Sequence, residues 1–585
     1  MQLLRTLVCL LVGVGLSACE ETQTPTDRRI TSPSSTALQI TPVTRQHVTP
    51  DRDWAWAFDR GDQPWVAYYA ADDSIRLMGP DGAEHSLERG EVAGKAAGLA
   101  LTVTDNDAFV LWRNKGAKGK QLFLSRFDGQ AFAAPVAIDR ESEPLTRLRI
   151  AHTQEALYTL WLGEQRHEKA GHHLYFKYSR DGGKSFSQTV RVLQGIYPAW
   201  IVDQRGVTVF SWSMVDGQLF MMRRRFDLSN GAFGEPGKIA PAYQIGPIFK
   251  AFASQGREFL VWFGQLGKAP ESILQGVYSD DGEHWESFQF DETLPLDISK
   301  LDIAADGRGH IYLAYSANDF ANRESPDKVY LLRSADNGLT WSEPVSLRHD
   351  PFGDKTKATA PSIAAGEKGL VAAVWVDWRE IRPGIYANFS EDDGVTWQPA
   401  DRRISPAGGY TLSALQKTLS LRAEMLYVLA TRYQSDSLWA GDLDLYRLPV
   451  ADLAGLPKAQ SPDGNDENVL RVRADGVWQA LEAGRYEDVY AFYDPFFKAR
   501  NPLSTFLSRM GKIKYHRHAV GKVAIAGNIA SVESEVVYSV PRMLVGNKTF
   551  EKPETKMHVK DTWVRVEGEW YREFNSEMTG KFTRY

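Results

Sequence analysis

Ser334-Ala-Asp336-Asn-Gly338-Leu-Thr-Trp341 and Ser390-Glu-Asp392-Asp-Gly394-Val-Thr-Trp397 are one turn written twice. Two looser copies precede them: Ser179-Arg-Asp181-Gly-Gly183-Lys-Ser-Phe186 and Tyr278-Ser-Asp280-Asp-Gly282-Glu-His-Trp285. Such an internal repeat points to stacked units, because each unit is too small to bury its own apolar face. The residue types explain the turn. Aspartate accepts from nearby main-chain NH groups, glycine takes a positive φ, and Ser or Thr adds a further local hydrogen bond. The closing Trp or Phe can then plug the gap beside the next sheet. In one copy Tyr278 replaces the leading Ser, with Asp280 as the acid.

Outward from these turns, between about residues 54 and 450, a pattern of paired apolar strands returns at intervals of about fifty residues. Trp65-Val-Ala-Tyr-Tyr69, Phe109-Val-Leu-Trp112, Leu157-Tyr-Thr-Leu-Trp161, Val207-Thr-Val-Phe-Ser-Trp212, Phe259-Leu-Val-Trp262, Ile311-Tyr-Leu-Ala-Tyr315, Val371-Ala-Ala-Val-Trp375 and Met425-Leu-Tyr-Val-Leu429 mark eight units. No helical period intervenes, and each repeat has chain enough for a four-stranded sheet, the signature of a β-propeller. Ring closure also protects sheet edges that an open solenoid, the alternative, would expose. The first and last units are short, and one blade can be assembled from both chain ends, so seven or eight blades are expected.

The repeated turn resembles the Asp-box, or BNR repeat, of sialidases and many other propellers. The resemblance implies a mainly-β, sialidase-like propeller over residues 51–452, of seven or eight blades rather than six. It also implies a structural role for Ser179, Asp181, Gly183, Phe186, Asp280, Gly282, Trp285, Ser334, Asp336, Gly338, Trp341, Ser390, Asp392, Gly394 and Trp397. Sialidase chemistry needs three arginines, an aspartate and a tyrosine activated by glutamate. The family's early Arg-Ile-Pro motif is absent near the first blade, and the Arg-Pro pair that occurs, Arg382-Pro383, lies in the penultimate repeat. Enzyme status is therefore left open, with a glycoside hydrolase related to exo-α-sialidases as the alternative to a binding protein.

Trp375-Val-Asp377-Trp-Arg379-Glu380 resembles the Trp-x-Asp-x-Arg segment of many bacterial BNR-repeat proteins. Two residues apart on a strand, Asp377 and Arg379 share a face. They either pair with each other or grip a polar ligand, and are the weak catalytic candidates. Arg147 and Arg149, also on one face of an extended segment, are candidates for anion binding. Arg223-Arg224-Arg225 fits a solvated blade surface, and His172-His173 has no acidic neighbour in sequence to suggest a metal.

At the start, Arg5, the apolar run Leu7 to Leu16 and Leu16-Ser17-Ala18-Cys19 form an export signal. Its apolar run is too short to span a bilayer. The last four residues resemble the bacterial lipobox, which implies cleavage after residue 18, lipid on Cys19 and, with Glu20 following, sorting to the outer membrane. An ordinary signal peptide with an incidental cysteine is the alternative. Residues 19–50, rich in Thr, Gln, Ser, Pro and Arg, read as a tether. Cys9 and Cys19 are the two cysteines, so the mature chain forms no disulfide. A net charge of −6 without a basic stripe argues against nucleic acid.

After a linker at 453–466, residues 467–585 change character. A helix ends at Gly484, a second runs from Tyr486 to Tyr493 and is stopped by Pro495, and a third opens at Pro502. Strands are expected at Lys514–Val520, Val523–Ile529, Val532–Val540, Met557–Val566 and Glu569–Phe574, an α+β domain. Trp478 to Tyr493 and Asp561 to Arg572 resemble the opening helices and closing hairpin of the NTF2-like or SnoaL-like family. The resemblance implies a cone-shaped pocket, for which Asp561, His518 and Tyr538 are polar enough, or a packing and pairing role.

The function expected is a lipid-anchored envelope protein whose propeller binds a protein or glycan partner, with envelope assembly or scaffolding as a third possibility. No phosphate loop follows a strand and no spaced cysteine pair occurs, so no cofactor and no metal are expected.

Overall fold

The computed structural model describes residues 47–48 and 54–573 apart from short internal stretches, the longest being 90–94, 166–171, 266–271, 291–295, 320–325, 350–355, 413–417, 434–440 and 457–465. Cys19, the export signal and the tether up to residue 46 lie outside the described residues. Among the described residues no helix is long and apolar enough to cross a membrane.

The apolar strand that marks each repeat is the second strand of an antiparallel sheet, and it is apolar throughout because both of its faces are covered. Val371–Glu380 is typical: Val371 to Asp377 are all buried. Eight such sheets follow one another, at 55–87, 95–139, 142–194, 196–241, 245–289, 296–346, 358–403 and 410–449. Each is a meander. In the fourth, Ala232–Phe233 and Gly237–Pro241 both pair with the third strand. In the eighth the outer strand comes from the other end of the chain, with His47 opposite Asp442 and Val48 opposite Gly441.

The first strands of consecutive sheets lie side by side, from the first sheet to the eighth. The first sheet also packs on the last. Trp54, Val66, Tyr68 and Met78 share one core with Leu429, Leu443 and Leu445, Phe58 meets Tyr427 edge to face at 5.2 Å, and Arg447 donates to Gln63 over 3.3 Å.

The closing aromatics settle between sheets, but against the preceding sheet rather than the next. Trp285 meets Phe210 at 5.9 Å, and Trp341 stacks on Phe288 at 5.7 Å. The box glycine explains the direction. At Gly338, with φ +85°, an added Cβ would lie 2.5 Å from the Phe259 ring of the preceding sheet. The turn is thus drawn down onto that sheet, carrying its Trp with it.

Beyond the sheets, α1 (Val450–Leu453) and Leu456 are buried against sheets seven and eight. The C-terminal unit follows with α2 (Asp466–Glu482), α3 (Tyr486–Ala491), α4 (Pro495–Arg500) and α5 (Leu503–Leu507). These lie on a sheet of Lys514–Ala526, Ile529–Val545, Lys548–Val566 and Glu569–Arg572. Leu470, Trp478, Val489, Phe506, Val532, Val536, Trp563 and Trp570 form its core. Two expectations are corrected. Pro495 starts a helix instead of only ending one, because the Asp494 carboxylate accepts from the Phe497 NH over 2.8 Å and proline suits the first turn. The strands expected at Lys514–Val520 and Val523–Ile529 are one strand with a bulge between Val520 and Val523.

Candidate functional site

Three of the repeated turns have one hydrogen-bond pattern. In the copy at 334, Ser334 Oγ donates to Asp336 over 2.8 Å and accepts from the Gly338 NH at 2.8 Å. Asp336 also accepts from the Thr340 NH at 2.9 Å and hydroxyl at 2.6 Å. The copies at 179 and 390 repeat this through Asp181 and Asp392. The Thr396 and Ser390 bonds hold the Asp392 carboxyl down at about 2. The fourth copy corrects the sequence register. Ser279 and Asp281, not Tyr278 and Asp280, hold the turn, and His284 replaces the Thr, 2.6 Å from Asp281. Asp280 instead pairs with Arg257 at 2.7 Å. Every carboxylate here is committed to its own turn or, for Asp280, to an arginine of the same sheet.

Asp377 and Arg379 are fully buried, 0% and 1% exposed, and present no atom to solvent. The Arg379 guanidinium donates to Asp377 over 2.7 Å and to Asp401 over 2.6 Å. Arg348 lies 3.3 Å from Asp377 on another side, and the Trp375 indole donates to Asp377 over 3.0 Å. Burial pushes the Asp377 carboxyl up, but Arg379 and Arg348 outweigh it and hold it below the usual range. This is an internal ion cluster joining sheets six and seven.

Arg223, Arg224 and Arg225 are likewise inter-sheet staples and not a solvated surface. Alternation sends Arg223 to Glu283 and Arg225 to Glu258, both of the fifth sheet. Arg224 goes the other way, to the Arg191 and Val192 carbonyls of the third sheet. His172 finds Glu164 across its hairpin at 3.1 Å.

Arg147 and Arg149 stand apart from these. Both side chains are exposed, and among the described residues neither meets a carboxylate. Among the described residues Arg149 donates to the Leu148 carbonyl alone, over 3.2 Å. Although solvent reaches it, enough protein surrounds Arg149 that desolvation, joined by repulsion from Arg147, pulls its guanidinium below the ordinary arginine value. Arg149 is thus reached by solvent while protein surrounds much of it. The local backbone is also unusual. In sheets two to seven the first strand loses register with the second at Ala97/Leu99, Thr146/Arg149, Ile196/Ala199, Ile245/Phe249, Ile298/Lys300 and Thr359/Ser362. Arg147, Tyr197 and Ala360, at φ +60°, +54° and +52°, occupy three of these breaks. Bulges re-aim side chains, and left-handed backbone at residues other than glycine is strain held in place by its surroundings. The breaks form a collar on the strands that lie side by side. On it Arg147 sits over the Tyr197 ring of the next sheet, 5.6 Å from its centre. At the same level of the sixth sheet, burial and the neighbouring Lys357 lower the Lys300 ammonium pKa.

Among the described residues, Asp306, His310 and Asp393 have the spacing of a metal site. They come from two sheets, beyond the reach of sequence spacing. Arg308 already holds both carboxylates, at 2.8 Å from Asp306 and 2.5 Å from Asp393. A cation would have to displace that guanidinium.

In the C-terminal unit, Asp561 accepts from Arg572 over 2.7 Å. Arg572 lies over the Trp478 ring at 5.1 Å and the Tyr493 ring at 5.9 Å. The nearby Tyr515 phenol is pushed up to about 12, chiefly by burial. His518 and Tyr538 turn elsewhere, to Asp475 and Glu482 at 2.8 Å each and to Lys552 at 2.5 Å.

No family model matches this chain, and no curated protein matches it. Among solved structures it is similar to the polysaccharide lyase Uly1, at 10% identity and TM-score 0.41, over 63% of this chain and 92% of that one. A PL25 ulvan lyase gives 11% and 0.40, over 72% and 99%. The β-propeller domain of the trilobed protease from Pyrococcus furiosus gives 10% and 0.36, over 61% and 98%. The chain is a mainly-β, multi-sheet protein loosely similar to these.

Proposed function

We propose that residues 47–449 close into an eight-bladed propeller and that the collar on its inner strands binds an acidic glycan. Support for the ring comes from the side-by-side first strands, the packing of the first sheet on the last, and the N-terminal strand that completes the eighth sheet. A strand borrowed from the opposite chain end fastens such a ring and leaves no edge exposed.

The exposed Arg147–Arg149 pair, without a carboxylate partner among the described residues, carries the functional proposal. Two guanidinium groups in a confined space are poised for carboxylate or sulfate, which arginine grips with paired NH donors. The half-buried Tyr197 ring adds a flat apolar surface at the same place. An acidic polysaccharide supplies both kinds of group.

The C-terminal unit is an NTF2-like domain in this proposal, supported by its helices on one face of an antiparallel sheet. The Leu16-Ser17-Ala18-Cys19 motif supports a lipid anchor on Cys19 and an outer-membrane location.

The test is binding of polygalacturonate, a sulfated polysaccharide and neutral dextran, with turnover followed in the same samples. Binding of the acidic polymers alone, weakened roughly tenfold or more by Arg149→Ala, is expected from the ~1.5–3 kcal/mol of a charged hydrogen bond. Equal binding of dextran, or no effect of Arg149→Ala, refutes the proposal. Shortened chains in those samples would make the protein a glycan-cleaving enzyme on the same substrate class.

A further inference from the structure

The tight hairpin between the second and third strands of the seventh sheet ends in Ile381, a β-branched residue at φ +68°. Such a residue rarely adopts that backbone without a reason in its surroundings. Ile381 is not on the surface, where a hairpin tip belongs. It is 1% exposed and packs with Val564 and Val566 of the C-terminal unit, flanked by Ile529 and Tyr571. Beside it, the Asn528 amide donates to the Arg379 carbonyl over 2.7 Å. Below lies the Asp377–Arg379–Asp401 cluster, which fixes the base of the hairpin.

The place of this contact matters. In an antiparallel meander the hairpins joining second to third strands lie at the opposite end from the Asp-box turns. The collar breaks lie in the half of the inner strands nearer that same end, as Tyr197 does in Ile196–Asp203 and Ala360 in Ala358–Ala365. Ile381 is only one or two strand spacings, about 5–10 Å, out from the inner strand. A unit of about 110 residues has a radius of gyration of about 13 Å. Seated that close to the inner strands, a unit of this size is large enough to reach over the collar.

We propose that the C-terminal domain is a size-selecting cap over the collar and that Ile381 is the specificity-determining residue that holds it there. The proposal rests on the reading above twice, on the closed ring for its geometry and on the acidic glycan for its ligand. With the cap seated, short acidic oligosaccharides or chain ends reach Arg149, and the interior of a long polymer does not. Among the described residues the contact is a small apolar knob beside the Asn528 hydrogen bond, the kind of interface across which domains move.

Two arms test it. In the full chain carrying Cys9→Ser, Cys19→Ser and Arg149→Cys, a small maleimide and a polyethylene-glycol maleimide report access to the collar without any glycan. The bulky reagent is expected to react slowly, and Ile381→Asp, or Ile529→Asp from the other side, to speed it about tenfold or more, since an unpaired carboxylate cannot stay in that apolar contact. Unchanged melting of the eight-sheet body shows that the knob alone was lost. Bulky and small reagents with one rate ratio in all three proteins would overturn the cap. In the second arm, Ile381→Asp in the otherwise natural chain should raise affinity for polygalacturonate while leaving that for a galacturonate trimer unchanged. Equal effects on both overturn the size selection. Loss of all acidic-glycan binding with relief of the reagent block still intact would refute the ligand and leave the cap standing.

Discussion

The Arg379 guanidinium lies 2.6 Å from the Asp401 carboxylate and 2.7 Å from that of Asp377, with none of the three open to solvent. Removing one partner of a buried ion pair strands the other charge, at a cost of about 3–5 kcal/mol. Asp377→Ala, which leaves Arg379 with Asp401 as its carboxylate and removes the carboxylate beside Arg348, is therefore expected to lower the denaturation midpoint sharply whether or not glycan is present. Asp377→Asn, which keeps the Trp375 bond, should cost less. A midpoint unchanged by Asp377→Ala would show that the carboxylate is not part of the packing.

Two turn glycines, Gly82 between the last two strands of the first sheet and the Asp-box Gly338, offer a paired comparison. Gly82, at φ +79°, has open space around an added Cβ, whereas at Gly338 the same Cβ meets Phe259 at 2.5 Å. A residue other than glycine in the left-handed region costs about 1–2 kcal/mol, and overpacking adds about 1–3 kcal/mol. Gly338→Ala should therefore destabilise more than Gly82→Ala in chemical denaturation. Equal midpoints would mean that the turn does not press on the preceding sheet.

How far the chain could be read in advance depends on the range of the interaction. The turns at 334 and 390 were legible because their hydrogen bonds close within a few residues. The copy at 278 was misregistered by one residue, because its glycine follows the acid directly, yet the Ser279-x-Asp281 spacing carried the signal. Asp494-Pro495 likewise encodes a helix start, although a proline after a helix on its own signals a stop. Gly521 breaks the alternation at a bulge and made one strand look like two. Arg147 and Arg149 could be paired from sequence, but Tyr197 joins them only across two sheets. The Ile381–Val564 contact has no local signature at all, since an apolar residue at a hairpin tip shows its meaning only once another domain covers it.

His518 gives the C-terminal domain a pH dependence of known sign. It bridges Asp475 and Glu482 of α2 at 2.8 Å each. Burial lowers its pKa, but those two bonds outweigh burial and raise it above the ordinary 6.5. A raised folded-state pKa means that the stabilisation is fully present below about 6.5 and is lost as pH rises through the elevated value. Amide exchange in α2 should therefore quicken over that window, and His518→Gln should flatten the profile. Slower exchange at higher pH would show that the imidazolium does not hold the helix.

Salt separates an arginine collar from a stacking surface. Contacts between guanidinium groups and carboxylates or sulfates that solvent still reaches are screened as ionic strength rises, whereas stacking on Tyr197 is not. Affinity for polygalacturonate should therefore fall steadily between low and high salt. Because Arg147 and Arg149 stand close enough to repel each other, losing either should weaken binding and also shallow the salt dependence. Arg149→Lys keeps the charge but not the planar pair of donors. It should restore most of the salt dependence that Arg149→Ala removes while recovering only part of the affinity. Salt-independent binding in the natural chain would shift the recognition from Arg147 and Arg149 to the aromatic ring.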